Sequence, residues 1–147
     1  MKRFLLSLLG ASSLIQSTLP RVLTPALGSD DHLSLLAFHE HYMQTLRNNT
    51  QICINAIKNI PELSMNIPKG AMYIMLKINF ELLFDISDDA EFAQKLLMEE
   101  NLSVLPGLCF RMGGYIRLVT CPPGEVIEDA LERLKHFCSK HNRVNQV

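Results

Sequence analysis

Arg117 is the side chain whose type and position first ask for a chemical explanation. It lies in Tyr115-Ile116-Arg117-Leu118-Val119, a run that is otherwise apolar or aromatic. Side chains alternate along a strand, so Ile116 and Leu118 share one face and Arg117 shares the other with Val119. A guanidinium left buried and unpaired is strongly unfavourable. Arg117 must therefore reach solvent at an edge, meet a structural carboxylate, or meet an anionic ligand. Its planar fork matches a carboxylate through two parallel hydrogen bonds, which makes it a candidate ligand site. The pattern alone leaves all three readings open.

The remaining chemically capable residues read as structural. His39-Glu40-His41 has metal-ligand residue types, but side chains two apart on a helix point to nearly opposite faces, so no metal site is assigned. His136 and His141 read as surface residues of a helix. Lys69-Gly70 reads as a turn before a strand, with close backbone approach at Gly70 as the alternative. Pro106-Gly107 reads as a turn or as the rim of a pocket near Arg117. Met72, Met75 and Met98 read as core fillers. The four cysteines, Cys53, Cys109, Cys121 and Cys138, form no CxxC pair and show no zinc spacing with the five histidines. They read as reduced, mostly buried thiols. No Ser/His/Asp set or phosphate loop is present, and no catalytic residue is assigned.

These side chains need a scaffold, and composition permits one. Of 147 residues, 48% are hydrophobic and 20% charged, which suits a folded domain with a modest core. The net charge of −1 offers no basic excess for phosphates, so no nucleic-acid partner is expected. No run of about 18 uncharged apolar residues points to a membrane span. Residues 4–23 are apolar and helical, ended or kinked at Pro20. A helical period runs from about Leu33 to Asn59, with Leu35, Leu36, Phe38, Tyr42, Met43, Leu46, Cys53, Ala56, Ile57 and Ile60 on one stripe. Asp30 or Asp31 could cap it, and Asn48-Asn49-Thr50 could kink it. Ala71–Ile78 reads as a largely buried strand. Asp88 and Glu91 have capping-box spacing before a helix whose inner face holds Phe92, Leu96, Leu97 and Met98. Leu102–Leu105 reads as a short strand, and Gly113-Gly114 as a tight hairpin between Leu108–Met112 and Tyr115–Thr120. Pro122-Pro123-Gly124-Glu125 opens a last helix with an apolar stripe of Val126, Ile127, Ala130, Leu131, Leu134, Phe137 and Cys138. The sum is an α+β arrangement with helices packed on a small sheet.

Three segments together carry a resemblance. Ile67-Pro68-Lys69-Gly70-Ala71-Met72-Tyr73-Ile74-Met75 is similar to a Pro-x-Gly-Ala-Met-Tyr strand. Leu102-Ser103-Val104-Leu105-Pro106-Gly107-Leu108-Cys109-Phe110 is similar to a Val-x-x-Leu-Pro-Gly-x-x-Phe strand and turn. Tyr115-Ile116-Arg117-Leu118-Val119 is similar to the Phe-Ile-Arg strand that follows it. In this order they resemble the small C-terminal domain of the tyrosine aminotransferase group, class I members of the fold-type I pyridoxal-phosphate transferases. Leu9–Leu19 resembles a family helix with a Gly-Pro-x-x-Ile-Gln-Gly-Ala-Leu type of run, and residues 34–60 resemble the long helix that joins the family's two domains.

The resemblance implies residues 1–32 as a remnant helix and linker of the large cofactor domain, and residues 33–147 as the small domain with the connecting helix. It implies amino-group transfer from an amino acid, of tyrosine or aromatic type, to a 2-oxo acid in a homodimer that uses pyridoxal 5'-phosphate. Arg117 matches the family arginine that binds the substrate α-carboxylate. The lysine that bears the family's cofactor is expected upstream of Met1, and none of Lys58, Lys69, Lys77, Lys95, Lys135 or Lys140 has a matching context. The chain by itself is therefore expected neither to hold the cofactor nor to transaminate. Arg111-Met112-Gly113-Gly114 departs from the family loop beside Arg117. Met1-Lys2-Arg3 followed by an apolar run also reads like a secretory signal, with formal glycosylation sequons at Asn48-Asn49-Thr50 and Asn101-Leu102-Ser103. The resemblance recasts that start as a helix and favours a cytoplasmic or mitochondrial location. Two other readings stand beside it: a secreted disulfide-linked domain, and a split βαβ module that binds small molecules.

Overall fold

Alternating burial along two neighbouring strands organises the molecule. In a computed structural model that describes residues 11–146, β2 (Tyr73–Ile78) buries Ile74, Leu76 and Ile78, and β4 (Tyr115–Val119) buries Ile116 and Leu118. The strands are antiparallel, with Ile74 opposite Leu118, Leu76 opposite Ile116 and Met75 opposite Arg117. All the inward residues therefore fall on one face. β1 (Leu63–Met65) pairs with β2 on one side, and β3 (Leu105–Pro106) pairs with β4 on the other, so the antiparallel order is β1-β2-β4-β3. β4 inserts between β2 and β3, the split βαβ arrangement that the element order suggested.

Three helices contribute to the core on that face. α3 (Asp89–Glu100) and α4 (Gly124–Lys140) bring Phe92, Leu96, Leu131, Leu134 and Phe137, and the second half of α2 (Asp30–Ile57) brings Cys53 and Ile57. Phe92 and Phe137 meet edge to face, with ring centroids 5.1 Å apart. Asp88 caps α3 as its spacing predicts, with Oδ1 accepting from Glu91 N at 2.7 Å, while Glu91 Oε2 reaches one residue further back and accepts from Ser87 N at 2.9 Å.

The described residues divide into two compact units, one up to Tyr42 and one from Met43. The first holds α1 (Ser13–Leu23) and the opening turns of α2. None of α1 is buried; Leu14 is 75% exposed and Val22 66%. The signal-like start at Met1-Lys2-Arg3 lies outside the described residues.

Several expectations need correction. Pro20 does not end α1, which continues to Leu23. The cap of α2 is Ser29, whose Oγ accepts from His32 N at 3.2 Å, rather than Asp30 or Asp31. No break in α2 occurs at Asn48-Asn49-Thr50. Asn49 is buried and gives its amide hydrogens to Thr120 O at 2.9 Å and Pro122 O at 2.7 Å, so it stitches α2 to the loop ahead of α4 instead of competing with the helix. The buried stripe of α2 covers only its second half, because Leu36, Phe38 and Met43 are exposed. On α3, Leu97 and Met98 are exposed and Ala93 takes the inner position; on α4, Val126 is exposed. β2 is half-buried rather than buried, since its outer residues Tyr73 and Lys77 are exposed.

The largest correction concerns the hairpin. Leu108–Met112 is not a strand. Gly107–Phe110 forms a short helical turn, Arg111 adopts φ +58°, and the chain re-enters the sheet at Tyr115 after Gly114 at φ +82°. The segment's apolar side chains stand at the surface, Leu108 at 65% exposure.

Candidate functional site

The outer face of the sheet carries Tyr73, Met75 and Lys77 from β2 and Tyr115, Arg117 and Val119 from β4. Arg117 sits in the middle, between Met75 on one side and Leu105 of β3 on the other. Its guanidinium carbon lies 4.3 Å from the centroid of the Tyr73 ring and 4.4 Å from that of Phe110. Both contacts are cation–π contacts, each worth about 0.5–2 kcal/mol according to how dry the site is. Tyr73 reaches Arg117 diagonally across the β2–β4 pair, a normal reach for an aromatic side chain. Phe110 arrives from the loop between β3 and β4.

Two aromatic contacts leave the guanidinium's edge as its means of recognition. Its Nε is buried and makes no hydrogen bond, and among the described residues Arg117 has no ion pair. The structural-carboxylate reading therefore finds no partner here. A planar ligand that accepts in the plane of the fork, as a carboxylate does, is the match for this geometry. Beside Tyr73 the surface hollows into a cavity of about 590 Å³ lined by Ser64, Pro68, Tyr73, Met75, Lys77 and Tyr115 among others. Arg117 does not line it; Tyr73 is shared by both.

The loop that delivers Phe110 is tightly tied. Gly107 O accepts from Met112 N at 2.9 Å, and a Cβ on Gly107 would stand 2.0 Å from Met112 O. Pro106-Gly107 is thus a turn whose glycine is required by close approach. Gly114 O accepts from Ile78 N at 2.9 Å and fastens the loop to β2. Asp89, in the first turn of α3, is 5% exposed and accepts from Leu108 N at 2.7 Å and from Gly114 N at 3.3 Å. At Lys69-Gly70 the alternative reading of close approach fails: nothing lies within 4 Å of a Cβ built on Gly70, and the positive φ falls on Ala71 at +70°.

Sequence reasoning missed Tyr73, Phe110 and Asp89. Alternation places Tyr73 on the outer face of β2, so its contact follows once the β2–β4 register is known. Phe110 and Asp89 meet Arg117 and the loop through tertiary contacts that no local period encodes.

His141, whose helical position predicts a surface side chain, is 4% exposed. Its Nδ1 lies 2.7 Å from Asp85 Oδ1 and its Nε2 3.2 Å from Glu99 Oε2, with Phe137 against its ring. Lys95 also bonds Asp85, and Lys140 bonds Glu99. Burial raises the Asp85 carboxyl, but hydrogen bonds from Lys95 and His141 outweigh it and hold the group below its usual range. The hydrogen bond from Lys140 lowers Glu99, aided by His141 against partial burial. His136, by contrast, is exposed as expected and lies 2.7 Å from Glu100. The four cysteines are free. Cys53 and Cys138 are buried, Cys109 and Cys121 exposed. Burial pushes the Cys53 thiol up to about 11 and raises Cys138 as well, so both are inert core groups. His39 and His41 join no group able to hold a metal ion among the described residues. No described helix is long and apolar enough to cross a membrane.

Residues 2–134 match the family described as Aminotransferase class I and II. The chain is 35% identical over 132 residues to a probable aminotransferase of Arabidopsis thaliana, covering 89% of this chain and 28% of that protein. It is 30% identical over 134 residues to the tyrosine aminotransferase of Homo sapiens, covering 91% of this chain and 28% of that one. The crystal structure of tyrosine aminotransferase from Leishmania infantum superposes with a TM-score of 0.77 at 31% identity, over 91% of this chain and 31% of that one. The chain thus spans between 28% and 31% of the length of these relatives. Sharing their sequence pattern over nearly its whole length and their α+β fold, this chain belongs to the aminotransferase class I and II family.

Proposed function

We propose that this chain supplies the carboxylate grip of an amino-acid aminotransferase, an enzyme that moves an amino group from a tyrosine-like amino acid to a 2-oxo acid. The observation that carries the reading is Arg117, held between Tyr73 and Phe110 with an unpartnered, buried Nε. Arg117 binds the α-carboxylate shared by amino acid and 2-oxo acid through the fork donors that no protein group occupies. The two rings hold the fork against rotation and exclude water from its faces. Fixing the carboxylate fixes the bearing of the α-carbon, which is how positioning lowers the barrier of a proton-transfer step.

Pyridoxal phosphate, the family's cofactor, supplies the electron sink when bound. The described residues of this chain fit it poorly. Lys95 and Lys140 are tied to carboxylates. In this reading the cofactor is held by residues other than these. In this reading residues 1–32 belong with the cofactor domain and residues 33–147 with the small domain of a homodimer. The exposed apolar side chains of Leu14, Ile15 and Val22 suit a helix that the rest of such an enzyme covers.

The test is binding of L-tyrosine and 2-oxoglutarate to the chain by NMR titration, with tyramine, which lacks the carboxylate, as control. Both carboxylates bind and tyramine does not. Arg117→Lys loses the two-point contact and weakens binding by about 1–3 kcal/mol. Equal binding by the variant ends the assignment. A second measurement addresses the cofactor: borohydride treatment of the chain with pyridoxal phosphate modifies exposed lysines with no preference for one, and a single uniquely reduced lysine contradicts the reading.

A further inference from the structure

We propose that Asp89 is a positioning residue whose buried carboxylate sets the 107–114 loop so that Phe110 lies over Arg117. This rests on the reading of Arg117 as a carboxylate grip and adds what holds that grip in shape. The carboxylate of Asp89 collects two backbone donors from opposite ends of one loop, Leu108 N at 2.7 Å on Oδ2 and Gly114 N at 3.3 Å on Oδ1. Neither bond belongs to a strand or helix ladder. The ordinary duty of an acidic residue here, capping α3, is already met by Asp88, which accepts from Glu91 N at 2.7 Å. Both oxygens of Asp89 are thus committed to the loop, and the N-terminal end of α3 favours the negative charge.

Phe110 is 39% exposed and lies outside the hydrophobic core cluster. Its position over the guanidinium follows from the loop, which closes on itself through Gly107 O to Met112 N and passes Arg111 at φ +58°. The Asp89 carboxylate joins the two ends of that loop. Without it, Leu108 N and Gly114 N lose their acceptor, the loop opens, and Phe110 leaves one face of Arg117. The guanidinium can then tilt, and a bound carboxylate loses its fixed bearing. The ligand whose orientation Asp89 governs is the α-carboxylate of an amino acid or 2-oxo acid.

The experiment follows the Arg117 Nε–H resonance in the 147-residue chain, identified by its loss in Arg117→Lys. Contact with two aromatic rings displaces this resonance upfield, and Phe110→Leu removes part of the displacement. Asp89→Ala removes the same part while the β2 and β4 amides stay where they are, and Asp89→Asn, which keeps one acceptor oxygen, retains more of it. L-tyrosine binds about tenfold more weakly to Asp89→Ala. A purely structural role would lower stability without moving this resonance in a folded variant, so an unchanged resonance in Asp89→Ala overturns the proposal. Should that variant not fold, hydrogen exchange in the wild-type chain decides: protected Leu108 and Gly114 amides support the proposal, and amides exchanging as in an unfolded chain overturn it. If the wild-type chain binds no L-tyrosine yet the resonance still responds to Asp89→Ala, the carboxylate grip is wrong and the positioning role stands.

Discussion

Around Arg117 the structure trades the usual partner of a strand arginine, a neighbouring carboxylate, for two rings and an open edge. A carboxylate of the protein would neutralise the charge and occupy the fork; Tyr73 and Phe110 stabilise the cation while leaving its donors free for a ligand. The arrangement depends on a glycine with no room for a side chain. Gly107→Ala puts a Cβ 2.0 Å from Met112 O, which is backbone and cannot swing away. The loop must shift, at a cost of about 1–3 kcal/mol in unfolding free energy. Urea denaturation measures that loss, and carboxylate binding should fall with it because Phe110 rides on the same loop. A variant of unchanged stability would show that the loop is softer than its hydrogen bonds suggest.

At the scale of elements, α2 and the β4–α4 loop are joined by one side chain. Asn49 is buried and gives both amide hydrogens to carbonyls of that loop, Thr120 O and Pro122 O. Replacing it with alanine leaves two carbonyls without their donor and should destabilise by about 1–3 kcal/mol. The measurement is the urea midpoint of Asn49→Ala against the parent chain at equal m-value. Loss of no more than a few tenths would mean that water replaces the amide freely and that the joint is not dry. The loop before β2 carries a different stress, with Ala71 held at φ +70°, a region that residues with a Cβ seldom adopt. It lies just ahead of Tyr73, the other ring over Arg117.

At the scale of the whole molecule, acid stability should depend on the charged cluster at the ends of α3 and α4. Asp85 and Glu99 are held below their ordinary values of 3.8 and 4.5 by Lys95, Lys140 and His141. A carboxyl lowered in the folded state binds its proton more readily in the unfolded chain. The stabilisation is therefore complete above the unfolded values and is lost as pH falls through the lowered native ones. Lys95 and Lys140 are raised above 10.5 by their bonds to Asp85 and Glu99, so their share is complete below that value and is lost only at higher pH. Unfolding free energy should thus fall below about pH 4. Asp85→Asn should flatten the acid slope, and an identical slope in that variant would remove the cluster from the account.

Periodicity and side-chain chemistry by themselves determined the α+β class, the α3 capping box, the inward residues of β4 and most of the α4 stripe, because each depends on neighbours within a few positions. They also singled out Arg117, since a guanidinium in an apolar strand demands an explanation wherever that strand lies. The exposed Leu108 and Leu97 and the buried His141 ran against that reading, because exposure depends on what packs above a residue and not on its type. Only the tertiary structure decided that Tyr73 and Phe110 contact Arg117, that Asp89 ties together a loop distant in sequence, and that Asn49 joins α2 to the β4–α4 loop. Each of these is a contact between segments whose separation along the chain leaves no periodic trace, and each is set by the register of β2 against β4 and by the way α2 and α3 pack beside that pair.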